Sequence, residues 1–158
     1  MGPRVALLRL LYRIAFRLAQ LRAIVLRHRG RGVTCLLTAN EGREVLLVRH
    51  TYGPRAVWRL PGGVARRSET PATTAAREID EELGLRNLRW HELVTVETRL
   101  EHMPVNLTGL HADVIDPHKL RPDPVEIAEV RWFRVERLPT RRSEEVEQML
   151  ELLRSRPV

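Results

Sequence analysis

Apolar residues along this chain fall in short blocks whose spacing changes with position. Residues 3–28 place leucines, Ile14, Phe16 and Ile24 on one broad side and Arg9, Arg13, Arg17 and Gln20 on a single stripe, which predicts an amphipathic helix. Gly30-Arg31-Gly32 breaks that period and predicts a hinge. The runs 33–39 (VTCLLTA) and 44–49 (EVLLVR) are apolar and rich in β-branched residues. Asn40-Glu41-Gly42-Arg43 separates them, a hairpin signal. His50-Thr51-Tyr52-Gly53-Pro54 reads as a loop, and Trp58-Arg59-Leu60 as a short strand delivering the chain into Pro61-Gly62-Gly63. Further on, 90–100, 105–115 and 127–133 read as strands, with Pro117, Pro122 and Pro124 marking an irregular loop before the last. Two helices complete the pattern. One begins after Thr70, with Pro71 at its first position and Gly84 at its end; the other covers 143–154 with Ser143 as its cap. Strands and helices mix without a repeating βα unit, so a mixed sheet flanked by helices is expected.

A chain of 158 residues is one domain by length and buries roughly 70% of its unfolded surface. The single cysteine, Cys35, excludes an internal disulfide and a cysteine-rich zinc site, and it suits a reducing, cytoplasmic setting. No H-x-x-x-H or H-E-x-x-H occurs among the six histidines, which argues against a zinc enzyme.

The net charge of +7 is unevenly placed: residues 1–40 hold eight arginines and no acid, while the remainder holds 19 basic and 20 acidic residues. The basic character therefore belongs to an N-terminal appendage, residues 1–30, and not to the body, 31–158. Arginines interrupt every apolar run of that appendage, at about 2.5–3.5 kcal/mol each in a bilayer centre, which argues against a membrane span or a signal peptide. Three readings stay open. The helix packs on its own domain or on a second copy as a homodimer; it lies on an anionic membrane surface; or it is a mitochondrial-type transit segment lacking serine. Nucleic acid is a poor partner, because only Tyr12 and Phe16 interleave the arginines.

Candidate chemistry concentrates in the predicted helix after Thr70. Glu78, Glu81 and Glu82 stand at i, i+3 and i+4, so their carboxylates share one face near its C-terminus. Like charges at that spacing repel by roughly 0.2–0.5 kcal/mol per pair. The macrodipole adds about 0.3–1 kcal/mol against each. Such a face is either a solvated acidic surface, with Arg77 paired to Glu81, or a set of hard oxygen ligands for Mg²⁺ or Mn²⁺.

Gly63, Glu69, Arg77, Glu78, Ile79, Glu81, Glu82, Gly84 and Leu85 fit, position by position, the box G-x5-E-x7-R-E-U-x-E-E-x-G-U, with U an apolar residue. Nine constrained positions in 23 residues make the chain resemble the Nudix hydrolases. The order of strands and helices from about residue 32 to 155 resembles that family too, and the N-terminal helix lies outside it.

The resemblance implies an α/β/α sandwich with a mixed β-sheet, carrying the amphipathic basic helix as an addition. It also implies metal-dependent hydrolysis of a nucleoside diphosphate linked to a further group X. Glu78, Glu81 and Glu82, with the Gly62 carbonyl, are then the expected ligands of Mg²⁺ or Mn²⁺. Glu78, Arg77 and Glu82 are the expected catalytic residues, with Glu78 either base or ligand, Arg77 orienting it and Glu69 supporting the helix start. Tyr52 and Trp58 are candidate substrate contacts by stacking on a base, with simple packing the commoner role for such rings; Glu126 is a candidate substrate contact, and Glu126 or Glu129 a candidate further carboxylate. Arg66 and Ser68 depart from the Glu and Gly that many members carry there. Pro104 is late, and no tyrosine stands, where substrate subclasses are marked, so X stays open. The alternative is a catalytically silent Nudix-like module that binds a nucleotide without turnover.

Overall fold

The computed structural model describes residues 30–52, 56–100 and 103–156. The predicted helix over 3–28 lies outside the described residues. Among the described residues there are six strands and two helices: β1 (Gly30–Ala39), β2 (Glu44–His50), β3 (Gly62–Val64), α1 (Pro71–Leu83), β4 (His91–Leu100), β5 (Met103–Asp113), β6 (Ile127–Arg134) and α2 (Glu144–Arg154). The sheet runs β4-β5-β1-β2-β6, with β3 added to β1. Only β1 and β5 run parallel, so the sheet is mixed, as expected.

Side-chain alternation along the central strands explains why both faces need cover. Val33, Cys35 and Leu37 of β1 point to one face, where they pack with Leu46, Val48, Leu110 and Ala112 against Ala75, Ile79 and Leu83 of α1. Leu36, Val45 and Leu47 point to the other, against Val146, Met149 and Leu150 of α2 with Trp58 and Leu60. Each fully buried aliphatic side chain contributes about 1.5–3 kcal/mol by leaving water. The result is the α/β/α sandwich. Among the described residues no helix is long and apolar enough to cross a membrane.

Three local expectations need correction. Gly30-Arg31-Gly32 is not a hinge but the start of β1. Gly30 through Thr38 pair in register with Val105 through Asp113, and Gly32 also pairs with Val64. Ladder hydrogen bonds on both sides override the conformational freedom of the glycines. Trp58-Arg59-Leu60 forms bridges rather than a strand, Arg59 pairing with Val48 and Trp58 with Arg142. Ser143 stands at the N-cap position of α2, yet its hydroxyl donates to the Glu145 carboxylate at 3.1 Å and makes no cap bond.

Candidate active site

The helix α1 is built as its sequence suggests. Thr70 Oγ1 accepts from the Thr73 N–H at 3.2 Å, Pro71 opens the helix, and Gly84 closes it in the left-handed conformation (φ 69°). The irregular loop after β5 covers the helix end. The N–H groups of Arg121 and Asp123 donate to the carbonyls of Leu83 (2.8 Å) and Glu82 (2.9 Å), which would otherwise lack partners. The acidic face is therefore held at its base by backbone hydrogen bonds from a distant part of the chain.

Arg77 organises the mouth of the site. Its Nε and Nη2 donate to Glu69 at 2.7 and 2.9 Å, Nη2 also donates to the Val64 carbonyl at 3.0 Å, and Nη1 meets Glu78 at 2.9 Å and Glu81 at 3.1 Å. One guanidinium thus ties β3, the helix start and two carboxylates together, and only an Arg has enough donors for this. Hydrogen bonds from Arg77, then from the Arg66 N–H, hold the Glu69 carboxyl down at about 2. Glu69 is accordingly the support of the helix start that the box implies. The loop between them is pinned as well: Arg31 donates to the carbonyls of Arg66 (3.2 Å) and Arg67 (3.0 Å), and the Arg66 guanidinium meets Glu81 at 3.2 Å.

The other two carboxylates lie deeper. Burial pushes the Glu78 carboxyl above its ordinary range against the pull of Arg77, and the charges of Glu82 and Glu81 add to the rise. Glu82 is only 2% exposed. Its Oε1 lies 3.3 Å from His50 Nε2, and its Oε2 accepts from the Gly62 N–H at 3.4 Å. Beneath them the Cys35 thiol is fully buried and pushed well up, first by burial and then by Glu82 and Glu78.

The expected ligand cluster is brought to one face but does not converge on one point: among the described residues no three His, Cys, Asp or Glu side chains do. Each carboxylate turns instead to a cation or donor at hand, Glu78 to Arg77, Glu81 to Arg77 and Arg66, Glu82 to His50. The donor set still fits a divalent cation. It is made of hard oxygens on one face, burial and then the charges of Glu82 and Glu81 already raise Glu78, and Gly63 leaves room that the Glu78 carboxylate fills.

The substrate candidates divide. Tyr52 is half-buried with its ring 4.9 Å from that of His50, beside the site, and the Glu126 carbonyl accepts from the Thr51 N–H at 2.8 Å. Trp58 is a correction. At 8% exposure it packs edge-on to Phe133 (4.8 Å) with the Arg49 guanidinium over its ring (4.9 Å), and it leaves no face for a base. Glu129 is another: it is ion-paired with Arg49 and Arg131 on the α2 side of the sheet, opposite the carboxylates. His50 was missed. It stands 32 positions from Glu82, at a strand end that reads as a loop, and no local pattern marks it.

Comparison with known proteins agrees with this construction. The model of the NUDIX domain matches residues 28–154. An ADP-ribose pyrophosphatase of Mycobacterium tuberculosis is 38% identical over 71 residues, covering 42% of this chain and 34% of that protein. A CMP-5'-(N-acetyl-N-hydroxy-3-aminopropyl)phosphonate hydrolase of Streptomyces rubellomurinus is 35% identical over 71 residues, 44% of this chain and 34% of that protein. The chain spans about a third of the length of these curated relatives (34% of each). Among solved structures, a C. elegans Ap4A hydrolase superposes with a TM-score of 0.68 at 19% identity, over 80% of this chain and 96% of that one. MutT of Burkholderia pseudomallei gives 0.62 at 23% identity, over 78% and 98%. At these identities the structures show the shared fold. With the domain model spanning nearly all the described residues and every fixed position of the box filled, the chain belongs to the Nudix hydrolase family.

Proposed function

We propose that this domain is a metal-dependent hydrolase that cleaves the pyrophosphate bond of a nucleoside diphosphate linked to a further group X. The observation that carries the reading is the Glu82 carboxylate. It is 2% exposed, shares one helix face with Glu78 and Glu81, and among the described residues meets two donors, His50 Nε2 at 3.3 Å and the Gly62 N–H at 3.4 Å. A carboxylate so deeply buried is costly in a structural role and useful for holding a cation that faces an anionic substrate.

Glu78, Glu81 and Glu82, with the Gly62 carbonyl, would hold Mg²⁺ or Mn²⁺, which supplies neutralisation of the charge on the diphosphate oxygens. The chain's own residues do the rest. Arg77, bonded at once to Glu69, Glu78 and Glu81, fixes where the Glu78 carboxylate points. Glu78 is then the base for the attacking water or a ligand alone. The named activity of the tubercular relative makes ADP-ribose the first substrate to try.

The test is an assay of ADP-ribose, dinucleoside polyphosphates, UDP-sugars and nucleoside triphosphates with Mg²⁺ or Mn²⁺, beside a chelated control. Release of a nucleoside monophosphate and X-phosphate in the metal-containing samples alone supports the proposal. No product from any substrate contradicts it, and tight binding of a nucleotide that stays intact favours the silent binding module.

The arginine-rich segment 3–28 is proposed, from its sequence, to attach the domain to a second copy or to an anionic membrane surface. Removing residues 1–28 without change in solution mass or liposome co-sedimentation would eliminate both.

A further inference from the structure

The donor that faces Glu82 from across the site comes from β2, far outside the box. His50 ends that strand, and its backbone is fixed on both sides. Val48 exchanges hydrogen bonds with Arg59 (2.9 Å each way), and Thr51 donates its N–H to the Glu126 carbonyl (2.8 Å) and its hydroxyl to the Val125 carbonyl (2.6 Å). A bulge in β6 sets Ile127, not Ala128, opposite His50. The imidazole is 11% exposed and lies against the Tyr52 ring, the two planes inclined at 39°. Neither the backbone nor the ring is placed by contact with solvent.

We propose that His50 is the positioning residue of Glu82: its Nε2, 3.3 Å from Oε1, works with the Gly62 N–H, 3.4 Å from Oε2, to fix the plane of that carboxylate from two separate strands. A lone donor would leave the carboxylate free to turn about its last torsion, which is broad and roughly two-fold. Donors on both oxygens, from β2 and β3, hold one orientation. The tautomer required has its proton on Nε2, where it donates to the carboxylate. Such outer donors set how well a carboxylate serves a bound cation, and their loss typically costs 10–100-fold in affinity or activity.

The inference rests on the hydrolase reading, and the experiment separates the two. His50→Gln places an amide donor close to where Nε2 stands; His50→Asn has a donor that falls short; His50→Leu fills space with none. Mn²⁺ affinity is read by electron paramagnetic resonance on substrate-free protein, alongside melting temperature and steady-state kinetics.

The expected result is Mn²⁺ binding weakened about 10-fold or more in the His50→Leu and His50→Asn variants, a similar loss in kcat, and a KM for the nucleotide within about two-fold. The His50→Gln variant stays within about three-fold of wild type, a small loss set against the 10–100-fold cost of losing such a donor outright. If the His50→Leu variant binds Mn²⁺ as wild type does, or Gln rescues no better than Leu, the positioning role is overturned. Should the His50→Leu variant fail to fold, the contrast between Gln and Asn decides. A wild type that neither binds Mn²⁺ nor turns over any nucleotide overturns both readings, whereas a working wild type indifferent to His50 overturns this one alone.

Discussion

The Glu78 carboxylate occupies the space that a β-carbon on Gly63 would take. Next to it, Gly62 has φ of 152° and its missing β-carbon would collide with the Val33 carbonyl of β1. Two adjacent glycines therefore serve different ends, one making room for a functional side chain and one allowing the backbone to lie against β1.

Alanine separates those ends. Gly63→Ala must displace Glu78, and the expected outcome is a fall in kcat/KM of about 100-fold, as a misplacement of about 1 Å at a reacting centre gives. Its melting temperature stays near wild type, since only a side chain gives way. Gly62→Ala strains backbone against backbone and should cost roughly 1–3 kcal/mol of stability. Thermal melts beside kinetics check both, and equal effects of the two variants on both measurements would refute the division.

Glu82→Gln keeps shape and hydrogen-bonding atoms while removing the charge. Hydrolysis should drop by about 100-fold or more, the size of effect seen when one electrostatic contact at a reacting centre is lost. Stability should hold or rise, because an almost wholly buried charge is removed. Activity equal to wild type would show that Glu82 is not part of the machinery.

Acid should loosen the start of α1. Hydrogen bonds from Arg77 lower the Glu69 carboxyl from its ordinary 4.5 to about 2, so the folded state binds this proton less readily than the unfolded chain does. The stabilisation is complete above about pH 4.5 and is lost as pH falls towards 2. Urea titrations at pH 6, 4 and 3 should show the gap between wild type and Glu69→Gln closing as the solution is acidified. A gap that does not change with pH would contradict the linkage.

The Cys35 thiol should be inert in the folded protein. It is fully buried, and burial together with the charges of Glu82 and Glu78 holds it protonated at neutral pH. A chromogenic disulfide reagent should label it only in denaturant; rapid labelling of native protein would show that the floor of the site opens.

How far the sequence went follows from the range of each signal. The cap at Thr70, the stop at Gly84 and the hairpin at residues 40–43 are local, so each was readable and each stands, with Asn40, Glu41 and Gly42 all at positive φ. The unbroken apolar run over 33–39 foretold a strand, and the box located the acidic face. Gly30-Arg31-Gly32 misled because what straightens it is pairing with β5, more than 70 positions on. Trp58 and Glu129 misled because which face of the sheet a side chain takes is settled by neighbours in space. His50 was invisible for the same reason: its meaning lies in Glu82, on an element that packs against it only once the sheet has formed.

The measurement that bears most directly on the central claim is a crystal of the protein with Mn²⁺ and a non-hydrolysable nucleotide diphosphate, its anomalous scattering mapped. The expected result is a manganese peak within about 2.0–2.4 Å of oxygens from Glu78, Glu81 and Glu82, with Glu81 drawn off Arg66, Glu78 still bonded to Arg77 and Glu82 still facing His50. A peak elsewhere on the molecule, away from all three carboxylates, would contradict it.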